Sequence, residues 1–171
     1  MSDQDNSQNP SPTPEAGPQP QGGLGILAQY VKDLSFENPN ALQMLGAQTQ
    51  EQPQMNANLD VKVQKLSETD YEVTLALEAT AKRGEMVMFA AEIDYAGIFR
   101  LQSIPPEHVE PVLMIECPRM LFPYARRILS DMTQEGGYPP LFLNPVDFAA
   151  LYKAKQQGAG TNGGGMPVGT A

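Results

Sequence analysis

Tryptophan is absent from this 171-residue chain, and cysteine and histidine occur once each, as Cys117 and His108. A zinc site built from Cys and His needs more ligands than these two, so that metal chemistry is excluded. A lone thiol makes no internal disulfide, which fits a reducing compartment. Positive charge is also scarce, with 11 Lys and Arg against 20 Asp and Glu and a formal net charge of -9. Nucleic-acid binding needs clustered Lys and Arg, so a basic protein surface suits this chain better as a partner, although acidity serves solubility first. No apolar run approaches the roughly 20 residues of a membrane span, and the amino terminus lacks a basic region followed by an apolar core. The expected location is cytoplasmic.

The remaining enzyme signals are thin. His108 and Cys117 lie nine residues apart, with Pro118 next to the thiol, and have no fixed relation as base and nucleophile. The run Gly22 to Leu27, GGLGIL, lacks the Gly-Lys-Ser ending of a phosphate loop and follows a polar tail instead of a strand. Residues 1–23 hold five prolines among Gln, Asn and Ser, and residues 158–171 carry no charged side chain. Neither end offers the apolar surface that offsets ordering entropy, so both are expected to be disordered tails around one domain at 24–157.

Within that domain the hydrophobic period changes from two to helical. Ile26 to Glu37 alternate imperfectly as a first strand, ended by Asn38-Pro39-Asn40. A long Gln- and Met-containing segment, 41–58, reads as a crossing loop, a length that is often functional. Leu59, Val61 and Val63 alternate with polar neighbours. Tyr71, Val73, Leu75, Leu77, Ala79 and Ala81 then face away from Glu72, Thr74, Glu78, Thr80 and Lys82, the pattern of an antiparallel sheet wetted on one side. In the next strand Val87, Phe89, Ala91, Ile93 and Tyr95 share a face, and Gly97 reads as a bulge. Residues 108–116 and 119–135 read as helices broken near Pro118. Pro123 lies inside the second, where an interior proline costs roughly 3 kcal/mol and therefore demands strong packing from Leu121, Ala125, Ile128 and Met132. Gly136 and Gly137 provide a stop, and Asn144-Pro145-Val146-Asp147 an N-cap for a last helix lined by Phe148, Leu151, Tyr152 and Lys155. Strands followed by helices give an α+β fold: a four-stranded antiparallel sheet with C-terminal helices on one face.

Two groups of side chains suggest binding. Asp33 and Glu37, four residues apart on a strand, share one face at about 13 Å, and Glu92 and Asp94 repeat the pattern. Phe36, Pro39, Met44, Tyr138, Pro139, Leu141, Phe142, Leu143 and Tyr152 put apolar surface around loops and suggest a groove, with nine methionines adding adaptable contacts.

The blocks YVKDLSFENPNA (30–41), AGIFRL (96–101), LFPYARRIL (121–129) and YPPLFLNPVDFAALY (138–152), in this order and spacing, resemble the SecB family of bacterial protein-export chaperones. The resemblance implies a dimer of dimers that binds unfolded precursor polypeptides without ATP or another cofactor and delivers them to the SecA motor. It implies that Asp33, Glu37, Ala90 and Glu92 form the SecA-docking surface, Ala90 standing where the family has a larger aliphatic side chain. It further implies a substrate groove framed by the crossing segment and the link between helices, here without an aromatic in 41–58. Ala91, Ile93 and Tyr95 then lie near subunit contacts, and Leu121 and Tyr124 belong to a helix between paired dimers. Two other readings share these residues: a SecB-like chaperone dedicated to one client such as an antitoxin, and a small α+β enzyme using carboxylates such as Asp94 and Glu107.

Overall fold

A computed structural model describes residues 23–46, 52–158 and 166–167. The expected tails fall outside these residues except for Gly23, Gly158 and the pair 166–167. Five strands, β1 (Gly23–Glu37), β2 (Gln54–Lys65), β3 (Asp70–Arg83), β4 (Met86–Gln102) and β5 (Met166–Pro167), form one antiparallel sheet in the order β1-β4-β3-β2-β5. The four long strands are those expected. β5 adds two residues beside Asn58 and Leu59. The expected crossing loop is shorter than 41–58: Ala41–Gly46 form a one-and-a-half-turn helix, α1, and β2 starts at Gln54.

Alternation in β3 and β4 gives the sheet two different faces. Leu75, Leu77, Ile93 and Phe99 point to the inner face and are fully buried under α3 (Cys117–Glu135), in one core with Leu121 and Leu129. Gly97 does not open a bulge. The β4 register runs through it unbroken, and a Cβ there would come within 2.8 Å of the Phe99 ring and 2.9 Å of Leu121. Its missing side chain is what lets α3 sit this close to the sheet.

In β4 Met88 is an extra residue between the partners of Ala81 and Lys82, so Val87 pairs with the outward Lys82 and leaves the face of Phe89. Two further bulges lie in β1, between Ile26 and Ala28 and between Val31 and Asp33. They explain the imperfect alternation, since each extra residue reverses which side chains face inward. Ala28, Tyr30, Asp33, Ser35 and Glu37 pair with outward residues of β4, whereas Ile26, Val31, Leu34 and Phe36 pair with inward ones. The outer face is also less wet than expected: Glu72 and Thr74 are buried, because Tyr30 and Lys32 reach over Glu72 from β1.

The break expected near Pro118 is a change of winding, not an interruption. Helix α2 (Pro106–Pro111) runs into a π turn at Val112–Glu116 and straight on into α3. The Cys117 N–H donates to the Val112 carbonyl, five residues back, which widens the turn just before a residue that has no N–H to donate. Pro123 sits on the exposed side of α3, and Leu121, Phe122, Ala125 and Leu129 supply the burial that holds the helix; Ile128 and Met132 are half-buried at its flank. At the C-terminus, the Gly137 N–H donates to Gln134 O and the Tyr138 N–H to Thr133 O, with Gly137 at φ 87°, a complete Schellman stop. Helix α4 (Phe148–Gln157) starts later than the Asn-Pro pair suggested: Asp147 is the N-cap, its carboxylate accepting from the Ala150 N–H at 3.0 Å. Among the described residues no helix is long and apolar enough to cross a membrane.

Candidate functional site: an acidic sheet face and an aromatic cluster

The outer sheet face is built from rows of paired residues. One row contains Glu37, Ala90 and Thr80; the next Ser35, Glu92, Glu78 and Asn58; the next Asp33, Asp94, Ala76 and Asp60. All four residues expected at the docking surface, Asp33, Glu37, Ala90 and Glu92, therefore share the face turned away from the helices. Lys62 comes to 3.6 Å of Asp94 and Lys155 to 3.2 Å of Asp60. Among the described residues Asp33, Glu37, Glu78 and Glu92 have no ion-pair partner.

Glu78 is the residue that sequence reading leaves out of this patch. Its outward direction was legible, but its position directly opposite Glu92 depends on strand register. Like charges directly opposite each other work against the sheet. Glu78→Gln is expected to stabilise the protein by about 0.2–1 kcal/mol in urea unfolding, with the gain shrinking as salt screens the pair.

A buried carboxylate lies beyond the patch. Glu72 accepts a hydrogen bond from the Tyr30 hydroxyl and pairs with Lys32 Nζ at 2.8 Å. Lys32, and after it Tyr30, hold the Glu72 carboxyl below the usual carboxylate range, and the same contact raises the Tyr30 hydroxyl.

The expected groove residues divide. Phe36 stacks on Phe89 with ring centroids 5.6 Å apart, and Phe89 meets Tyr138 at 5.2 Å. Phe89, the middle ring, reads in sequence as an ordinary strand residue. The Tyr138 hydroxyl lies 2.8 Å from Asn38 Oδ1 and 3.0 Å from Met88 O, while Asn38 Nδ2 donates to Gly136 O, so the turn after β1 is tied to the end of α3. Met44 on α1 is buried, with Sδ 4.0 Å from Arg83 Nη1. Leu141 and Leu143 are buried in the core, the Leu141 N–H donating to Thr133 Oγ1; Tyr152 is half-buried on α4; Pro39, Pro139 and Phe142 are exposed.

Of the residues expected at subunit contacts, Ala91, Ile93 and Leu121 are packed inside the chain. Tyr95 is buried beneath Tyr124, with ring centroids 6.1 Å apart, and Tyr124 is 53% exposed. Beside it part of the inner side of β1 is bare, with Ile26, Val31 and Leu34 at 42%, 42% and 46% exposure, while Leu24 and Phe36 pack against the core. His108 is exposed at the start of α2, whereas Cys117 is fully buried and its thiol is pushed up to about 12 by burial.

A half-covered antiparallel sheet carrying an acidic outer face, an aromatic cluster and a bare apolar strip defines a protein built to contact other polypeptides. The SecB family model, described as "Preprotein translocase subunit SecB", matches residues 17–159, and the chain belongs to that family of protein-export chaperones. A protein-export protein SecB from a Bradyrhizobium strain is 52% identical over 144 residues, covering 84% of this chain and 87% of its own. A protein of the same name from Parvibaculum lavamentivorans is 50% identical over 161 residues, covering 93% and 94%. Among solved structures, a SecB-like chaperone of Mycobacterium tuberculosis in complex with an antitoxin peptide has a TM-score of 0.60 at 14% identity, covering 72% of this chain and 90% of that one. That likeness is one of fold.

Proposed function

We propose that the chain is an ATP-independent cytoplasmic chaperone that captures unfolded precursors, keeps them competent for translocation and hands them to SecA. The observation that carries this reading is the placement of Asp33, Glu37, Ala90 and Glu92 on one face, with Glu78 among them and the helices on the other side of the sheet. A basic segment of SecA docks there. The client polypeptide is held elsewhere, at apolar surface around Phe36, Phe89 and Tyr138 and the exposed Pro39, Pro139 and Phe142. Binding buries apolar area worth about 25 cal/mol per Å², and repeated sites on an oligomer turn weak contacts into reversible capture. The mechanism is binding without catalysis, with ATP used by the motor.

The oligomer is a homotetramer, a dimer of dimers. The bare strip of Ile26, Val31 and Leu34 beside Tyr124 supports it, because exposed apolar side chains grouped this way gain by association. Service to many clients is preferred over service to one antitoxin, since the relatives near half identity are export proteins and the antitoxin-bound neighbour shares 14% of its residues.

Mass measurement on the purified protein, alone and with a slowly folding precursor, tests capture and assembly together. Four copies of the chain, gaining one precursor, is the expected result. A single copy that ignores denatured polypeptide overturns the reading.

A further inference from the structure

The docking face depends on a residue that is not acidic. Between Tyr30 and Asp33, β1 spends four residues against the three of Asp94, Tyr95 and Ala96 on β4, and Lys32 is the extra one. Simple alternation from the outward Tyr30 would turn Asp33 and Glu37 inward, toward the helices, and would put Leu34 and Phe36 on the outer face. The extra residue reverses this. Lys32 is also tied down: its side chain crosses the whole width of β4 to reach Glu72 on β3, pairing at 2.8 Å, and Tyr30 holds the same carboxylate from the other side of the bulge. Glu72 is 8% exposed, whereas Asp33, Glu37, Glu78 and Glu92 on the same face are open to solvent.

We infer that Lys32 is a positioning residue for the docking face: drawn across β4 onto Glu72, it holds the bulge that turns Asp33 and Glu37 outward. This rests on the reading of that face as the SecA site. The ammonium itself opposes attraction of a basic partner, which gives positioning and simple electrostatics opposite signs. Removing a positive charge from beside an acidic site tightens binding of a cationic segment if charge alone matters. Removing the tie loosens it, because the carboxylates lose their fixed direction.

The test is titration of the native chain and its variants with the basic carboxy-terminal segment of SecA, in one buffer of low ionic strength. Lys32→Met keeps the aliphatic stem and loses the charge and the bond. It is expected to weaken docking about threefold to tenfold, the scale of one partly exposed charge-assisted contact. Lys32→Arg, which can still pair with Glu72, restores native affinity. In a chain already carrying Asp33→Asn and Glu37→Gln, Lys32→Met costs nothing further, whereas a general loss of stability would lower affinity again. Faster amide exchange at residues 33–37, with β2 unchanged, accompanies the loss. Docking by Lys32→Met that is equal to or tighter than native overturns the inference while leaving the docking reading intact. If charge reversal at Asp33 and Glu92 leaves SecA affinity unchanged, the docking reading fails and the inference falls with it.

Discussion

Charge reversal at Asp33 and Glu92 together, as Asp33→Lys and Glu92→Lys, is expected to lower affinity for SecA by about a hundredfold or more, since like charges brought together across an interface cost several kcal/mol. Both side chains are exposed and stand on neighbouring rows of the outer face, so the change alters the partner's field without removing core packing. Capture of unfolded polypeptide should persist in the same variant. Phe36, Phe89 and Tyr138 belong to the inner side of the sheet, and neither substituted residue touches that cluster. Docking by the native chain should weaken markedly from low to high ionic strength as screening shortens the reach of the acidic rows. Isothermal titration with SecA, alongside an assay of delayed precursor refolding, reads both activities. Loss of capture with docking would show that the two faces are not separate; salt-independent docking would show that the carboxylates do not carry it.

The second large effect concerns stability, at the point where Gly97 receives α3. Leu121 is fully buried, and truncating it to Ala is expected to cost about 2–5 kcal/mol through lost burial and the cavity left behind. Gly97→Ala is expected to cost about 1–3 kcal/mol by overpacking, because the new Cβ lands at 2.9 Å from Leu121 and 2.8 Å from Phe99. The two changes occupy each other's space. The double variant should therefore lose clearly less than the sum of the two, since the added methyl enters the room vacated by the leucine. Equilibrium unfolding of the four chains measures the coupling. Strict additivity would mean that Gly97 has some role other than admitting the helix.

These two sites also mark what could be read from the chain beforehand. The faces of β3 and β4 are legible where a period of two runs unbroken, from Tyr71 to Ala81 and from Phe89 to Tyr95, whereas Val87 falls out of it because Met88 is an extra residue. The outward direction of Glu92 is legible from that period, and Asp33 and Glu37 share a face because they lie on the same side of the second bulge. The orientation of β1 as a whole is not legible: the extra residues blur the alternation without marking where they sit, because the strand is largely exposed on both sides, and Lys32 reads as one more polar position. Gly97 is ambiguous for a related reason, since a glycine in a strand signals either a bulge or a close neighbour, and Leu121 lies 24 positions away in sequence. The six residues of α1 were too few for helical periodicity to emerge from a Gln-rich stretch. The π turn was hidden because Pro118 announces a disturbed hydrogen bond without saying how the chain will absorb it.

The order of the strands has a consequence for how the molecule comes into being. β2, β3 and β4 are neighbours in both sequence and space, so this meander can close as soon as it is made, whereas β1 pairs with β4 across a span that joins Gly23 to Gln102. At about 5–20 residues per second of synthesis, the first strand leaves the ribosome several seconds before its template exists. During that interval Ile26, Val31, Leu34 and Phe36 are a nascent apolar segment awaiting shelter, and for those seconds the newborn chaperone resembles its own clients.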